Sequence, residues 1–197
     1  WVHLSAVTTA GSVAQVRSAK EHGVPITAAV PARHLVLTDE AVSDSVYDTA
    51  TRLLPPLRSV ADRDACVQGV LEGVIDCITA DHVPLTQIEK EVEYMYATPG
   101  AVGLETAFSA ALAGLSHDIV GVIRSLSVGP AQVLGMRSAI DVGAVADLTV
   151  FDSGKSNVVR SNFRSRGTNE PFIGRSLPGK IVMTVRDGCI IYGPKHD

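Results

Sequence analysis

The sequence predicts an α/β chain: a parallel sheet with crossover helices, then a small antiparallel unit. Three observations carry this. Strand-like residues 2–4 and 24–30 flank a helical stretch over 12–23, the spacing of a parallel crossover. A second helical stretch, 59–73, runs directly into the apolar run 74–79. Beyond Val145 the pattern turns to short strands around Asp187-Gly188, a hairpin signal.

Each element has a local reason. The first strand ends at Ser5, and a loop leads to Ser12, a candidate N-cap. Val13, Val16 and Ala19 follow at helical spacing, and Gly23 closes the helix. Pro25 sits in the first residues of the next strand, where a missing donor is tolerated. Residues 39–58 read as an acidic, then proline-bearing loop, with Pro55-Pro56 held extended. Val60, Ala65, Val67, Val70 and Leu71 give the second helix its apolar positions. Residues 87–96 read as a charged surface helix or loop that Pro99-Gly100 breaks. Helical runs follow from Gly103 to Leu115 and over 119–126, and a short one capped by Ser127 carries Pro130 in its first turn. Residues 147–152, 181–185 and 190–192 are the late strands. The stretch 153–179 between them has no clear period and carries Arg160, Arg164, Arg166 and Arg175. It reads as a solvated loop or, alternatively, an anion or partner contact.

Composition bounds the function. With 197 residues, 46% of them hydrophobic, the chain is long enough for a real core. A net charge of −4 argues against nucleic-acid binding. No unbroken apolar run approaches a membrane span, and residues 1–5 lack the charged start of a signal peptide. The widely spaced Cys66, Cys77 and Cys189 form neither a CxxC motif nor a disulfide framework, which favours a reducing cytoplasm.

The chemistry is expected where the buried run 74–79 ends in Asp81-His82. In a parallel α/β sheet the C-terminal strand edge is where ligands and catalytic groups gather. A carboxylate there must be paired, hydrogen-bonded or metal-bound; the alternative is that Asp81 caps the next segment. His3 and His34 lie near the ends of the other two strands, with Arg33 beside His34. Either Arg33 or His34 also reads as a solvated loop residue. Arg58 is expected to pack or pair locally, Glu105 to complement a helix dipole, and His22, His117 and His196 to lie at the surface.

Several segments together resemble the dihydroorotase family of the amidohydrolase superfamily. They are His3-Leu4-Ser5 with Ala10-Gly11-Ser12-Val13; Val30 to Glu40; Pro55-Pro56-Leu57-Arg58; Asp81-His82-Val83-Pro84; and Gly103-Leu104-Glu105-Thr106. In the tail, Pro130-Ala131, Ala146-Asp147-Leu148, Asn169 with Pro171-Phe172-Ile173-Gly174, and the Gly188 hairpin add to it. The resemblance implies a partial (β/α)8 TIM-type barrel, about strands six to eight, over 1–140. Residues 141–197 would be β-strands of a small sandwich domain and a tail. It implies zinc as cofactor, His3 and Asp81 as ligands, and Asp81 as the catalytic proton acceptor from metal-bound hydroxide. His82, His34, Arg33, Leu54, Leu85 and Gly100 would stand at the substrate edge or just behind it. The family's remaining metal ligands would precede Trp1. A half-barrel leaves a sheet edge uncovered, so a second copy or that N-terminal half is expected to cover it.

The departures from the family pattern open alternatives. Leu54 replaces an asparagine, Leu85 a histidine, Ala29 a glutamate and Arg33 a histidine. The first reading is a dihydroorotase-like hydrolase of a small cyclic amide in pyrimidine biosynthesis. The second is a non-catalytic homologue that serves as a scaffold for aspartate transcarbamoylase, with the 160–175 arginines meeting its acidic face. The third is a hydantoinase-like amidase for a less polar ring. The 197 residues alone are expected to be inactive.

Overall fold

A hydroxyl starts each of the two helices that cover the parallel sheet. The structure is a computed structural model that describes residues 1–136 and 139–193; His196 falls outside them. Strands β1 (Val2–Leu4), β2 (Ile26–Pro31) and β3 (Cys77–Thr79) are parallel, in the order β1-β2-β3. Helix α1 (Ala10–Glu21) connects the first two; α2 (Glu40–Asp44) and α3 (Val60–Leu71) lie between the second pair. Ser59 Oγ accepts from Asp62 N, as a cap should. For α1 the cap is Thr9, not Ser12: Thr9 is extended (φ −127°) and its Oγ1 accepts from Ser12 N at 3.2 Å. Ser12 is already inside the first turn, its hydroxyl accepting from Thr9 Oγ1. Gly23 (φ +74°) and Gly73 (φ +76°) follow the two helices in the left-handed conformation that ends them.

Val13 and Val16 of α1, and Cys66 and Val70 of α3, are buried in the core. The N-termini of the two helices are tied by Ala10 N donating to Asp62 Oδ1 at 2.8 Å. The expected strand 74–79 is shorter than its apolar run because Asp76 interrupts it. That carboxylate takes Lys20 Nζ at 2.8 and 2.9 Å and Ala28 N at 2.8 Å. Residue 76 therefore meets β2 both through that carboxylate and through its main-chain N, which donates to Ala28 O at 2.9 Å, and the regular ladder begins at Cys77.

The segment 39–58 is not a plain loop. It contains α2 and a 3-10 turn, Thr49–Thr51, and its Leu54-Pro55 bond is cis. After β3 come α4 (Gln87–Lys90), α5 (Ala107–Gly114), α6 (Ile119–Ile123) and α7 (Gly129–Val133). Lys90, expected on a surface, is buried, with Nζ donating to Thr49 O at 2.7 Å; burial pulls its pKa down to about 8. Ser127 caps no new helix, because α6 runs through a π-helical stretch, Arg124–Val128, into α7.

Strands β4 (Leu148–Val158), β5 (Ser176–Arg186) and β6 (Cys189–Tyr192) form the antiparallel sheet. Asp187 (φ +50°) and Gly188 (φ +75°) make the hairpin turn as expected. β4 and β5 extend well into the stretch expected to be irregular, leaving 159–175 between them. That remainder is not simply solvated. Val159, Asn169, Glu170 and Phe172 are buried, and Val159, Phe172 and Leu177 join the core that holds Val30 and Leu112. The two sheets meet through α5: the Phe108 and Phe151 rings pack at a tilt of 48° with centroids 4.7 Å apart, and Gly179 (φ +82°) passes where a Cβ would strike Phe108. Arg160, Arg164, Arg166 and Arg175 are exposed. Among the described residues, no helix is long and apolar enough to cross a membrane.

Candidate functional site at the ends of β2 and β3

Register brings Arg33 and Asp81 together. Pro31, the last residue of β2, pairs with Thr79, the last of β3. Two residues on, each chain presents its charged side chain. β2 runs into a 3-10 turn, Ala32–Leu35, that carries Arg33 and His34; β3 runs into Ala80, Asp81 and His82. Asp81 adopts φ +45°, a left-handed conformation uncommon outside glycine and asparagine-like residues.

Arg33 is only 3% exposed. Its Nη1 donates to Asp81 O at 3.0 Å and Asp81 Oδ2 at 3.1 Å. Its Nη2 donates to Ala80 O at 3.2 Å and Val102 O at 3.0 Å, with a longer contact to Ala101 O. Burial lowers its pKa, opposed by the negative charges of Glu170 and then Asp81. The solvated-loop expectation for Arg33 is thus overturned: the guanidinium ties the end of β3 to the strand-like stretch before α5. Gly103 completes the fit, since a Cβ there would collide with Ala80 O and with Arg33 Nη2.

Behind Arg33 lie residues that the sequence did not mark as part of the site. Glu170 is buried, with Oε2 accepting from Thr106 Oγ1 at 2.6 Å and Oε1 from Phe172 N at 3.1 Å. Burial raises its pKa despite those bonds and the nearby Arg33. Asn169 Nδ2 donates to Val83 O and Gly100 O, both at 3.0 Å, and its Oδ1 accepts from Leu85 N at 3.0 Å. The polar pair Asn169-Glu170 before Pro171-Phe172, in a stretch without period, was the available signal.

The other expected residues are distributed around this cluster. His82 Nδ1 accepts from Gly103 N at 3.2 Å, and Leu104 N lies at 3.4 Å. It therefore orients a backbone turn rather than Asp81. His34 is buried, also against the solvated-loop expectation. Its Nε2 lies 3.1 Å from Pro55 O, which can only accept, so Nε2 carries the proton. Among the described residues, Nδ1 is then a buried acceptor without a partner, and Arg58 Nε is a buried donor without one. Burial, the largest effect, pushes the His34 pKa down to about 4. Gly100 (φ +141°) packs where a Cβ would strike Val83. Leu85 is half-buried and Leu54 is 72% exposed. Glu105 is not used by a helix dipole; its carboxylate accepts from Arg164 N, Ser165 N and Ser165 Oγ.

His3 stands apart from this cluster. It pairs with Thr27, four residues before Pro31, and its Nδ1 lies 2.8 Å from Thr27 Oγ1. Among the described residues, no three His, Cys, Asp or Glu side chains gather to hold a metal ion. A zinc centre takes at least three protein donors, and one oxygen of Asp81 is already bonded to Arg33. The described residues therefore do not by themselves fit zinc.

Known proteins place this architecture. The crystal structure of dihydropyrimidinase from Brevibacillus agri NCHU1002 superposes with a TM-score of 0.87 at 19% identity, covering 97% of this chain and 44% of that one. D-hydantoinase (dihydropyrimidinase) from Thermus sp. gives 0.86 at 20% identity, with the same coverage. At such identities the likeness is one of fold. In sequence, the dihydroorotase of Syntrophus aciditrophicus (strain SB) is 41% identical over 196 residues, 97% of this chain and 46% of that protein. The dihydroorotase of Pelotomaculum thermopropionicum is 43% identical over 197 residues, 96% and 45%. The chain thus spans about half the length of the curated relatives it matches. With the profile of the amidohydrolase family matching residues 2–191, this chain belongs to the amidohydrolase family.

Proposed function

We propose that the chain is part of a dihydroorotase-type amidohydrolase, which opens and closes the cyclic amide of dihydroorotate in pyrimidine biosynthesis. The observation that carries this reading is sequence identity of 41–43% to dihydroorotases along 96–97% of the chain. In this reading β1 to β3 are strands six to eight of a (β/α)8 barrel, residues 141–197 are the sandwich segment and tail, and the protein is cytoplasmic. The parallel order β1-β2-β3 with intervening helices supports the barrel part. His3 and Asp81 are this chain's share of the metal-site positions. The remaining zinc donors would come from sequence that the chain's 46% of its relative does not span. Asp81 Oδ1, the oxygen not bonded to Arg33, is the atom that would take up a proton. Leu54, Leu85 and Gly100 would face the ring.

A second reading, a non-catalytic scaffold for aspartate transcarbamoylase, is favoured by a specific observation: Asp81 is paired to a buried arginine at a position where the family pattern has histidine. One assay separates the readings. Dihydroorotate and hydantoin are offered, with zinc, to the chain alone and to the chain mixed with the part of the Syntrophus dihydroorotase that it does not match. We expect no turnover by the chain alone, and dihydroorotate turnover by the mixture that Asp81→Ala abolishes. Turnover of hydantoin only would select the hydantoinase-like alternative. No turnover in any mixture, with co-elution of chain and transcarbamoylase, would select the scaffold.

A further inference from the structure

We infer that the Arg33 guanidinium stands in for a divalent cation at Asp81, so that the strand-end site of this chain is assembled without metal. The inference goes beyond the proposed hydrolysis and is tested by melting and metal binding, not by turnover.

Four observations carry it. First, Arg33 reaches Asp81 twice, through the main-chain oxygen and through Oδ2. A half-buried carboxylate at a strand end is stabilised by a cation, a donor or a metal, and here Arg33 Nη1 supplies cation and donor together. Second, the same guanidinium gathers Ala80 O and Val102 O, main-chain oxygens that a mere surface ion pair would not collect. Third, the site is shaped to it: Gly103 leaves the space that Nη2 occupies, and a side chain there would evict it. Fourth, the charge is balanced from both sides, because Glu170 is buried close enough to act on Arg33 together with Asp81.

Two cations do not share this site cheaply. Arg33 takes one of the two in-plane lone-pair positions of Asp81 Oδ2, and a divalent ion placed at this carboxylate would meet the fixed positive charge at short range. A metal at Asp81 therefore has either to take Oδ1 against that charge, with the further donors that the described residues do not gather, or to displace the guanidinium. Displacement would leave Arg33 buried at 3% exposure among carbonyl oxygens, with Glu170 as its remaining opposite charge. Arg33 thus acts as a positioning residue: it holds the left-handed turn at Asp81 and closes the end of β3 against residues 101–103.

The test is thermal unfolding of the 197-residue chain with excess EDTA, with no addition and with excess zinc chloride, beside calorimetric titration with zinc. We expect the three Tm values to agree and no stoichiometric zinc uptake at Asp81. A site filled to about a hundred times its Kd would raise Tm by roughly 5–10 °C. A loss of Tm in EDTA or a gain in zinc, absent in Asp81→Asn, would overturn the proposal; a zinc response that Asp81→Asn retains comes from elsewhere and upholds it. Arg33→Met should melt below the wild type, and Arg33→Lys less far below, because it keeps the charge but not the fork. Arg33→Met as stable as the wild type would equally overturn the inference, and if that variant does not fold, an unaltered Tm in Arg33→Lys overturns it instead.

Discussion

His34 shows how a single buried group sets the pH response of this chain. Its pKa falls from the ordinary 6.5 to about 4, chiefly because burial disfavours the charged ring, with the Pro55 carbonyl offsetting part of the effect. The unfolded chain takes up a proton near pH 6.5, whereas the folded chain does so only near pH 4. Stability is therefore full above pH 6.5 and declines as pH falls towards 4, by about 3 kcal/mol from this residue. Glu170 works in the opposite sense, since burial raises its pKa and its protonated form favours the fold, so its contribution grows as pH falls through its raised pKa. Urea unfolding across this range reads the slope. His34→Gln keeps a donor for Pro55 and should flatten it; a slope unchanged in that variant would assign it to another group.

At the scale of elements, helix starts and strand ends position the chemistry. α1 and α3 are tied together through Asp62, which accepts from both Ala10 N at the start of α1 and Ser59 Oγ at the start of α3. Thr9→Ala should cost about 1 kcal/mol, the usual value of an N-cap, whereas Ser12→Ala, inside the first turn, should cost clearly less. Chemical denaturation of the two variants checks the order, and equal losses would contradict the capping geometry. At the same C-terminal end of the sheet, the equal termination of β2 and β3 puts Arg33 beside Asp81. A shift of one residue in that register would turn each side chain to the opposite face.

On the scale of the whole molecule, β1 is an edge strand with an apolar start. Trp1 is 73% exposed, and Val2 and Leu4 are exposed as well. Ile190, Ile191 and Tyr192 of β6 add a second exposed apolar strand. Unpaired edges and open apolar faces recruit further chain. The purified chain is expected to scatter light as a species heavier than its 20.7 kDa, and addition of the complementary part of a relative should replace that species with a mixed one. A monodisperse 20.7 kDa species at all concentrations would refute this expectation.

Local pattern by itself determined β1-α1-β2, α3, the Asp187-Gly188 hairpin and the acidic end of β3, because periodicity, caps and turn residues act over a few positions. The resemblance in motif order likewise anticipated the family that the matched profile shows. Only the tertiary structure decided what Arg33 does. It is separated from Asp81 by 48 residues, and nothing near it in sequence says whether it meets solvent or a carboxylate. The same holds for Glu170, which is 64 residues from its Thr106 partner and lies in a stretch without period. The truncation of β3 at Cys77 follows from Lys20 and Ala28 meeting Asp76, contacts that exist once α1 has docked. Burial and pairing of charge are properties of register and packing between distant segments, and that is why a strand-end carboxylate legible in the sequence acquired its partner only in the fold.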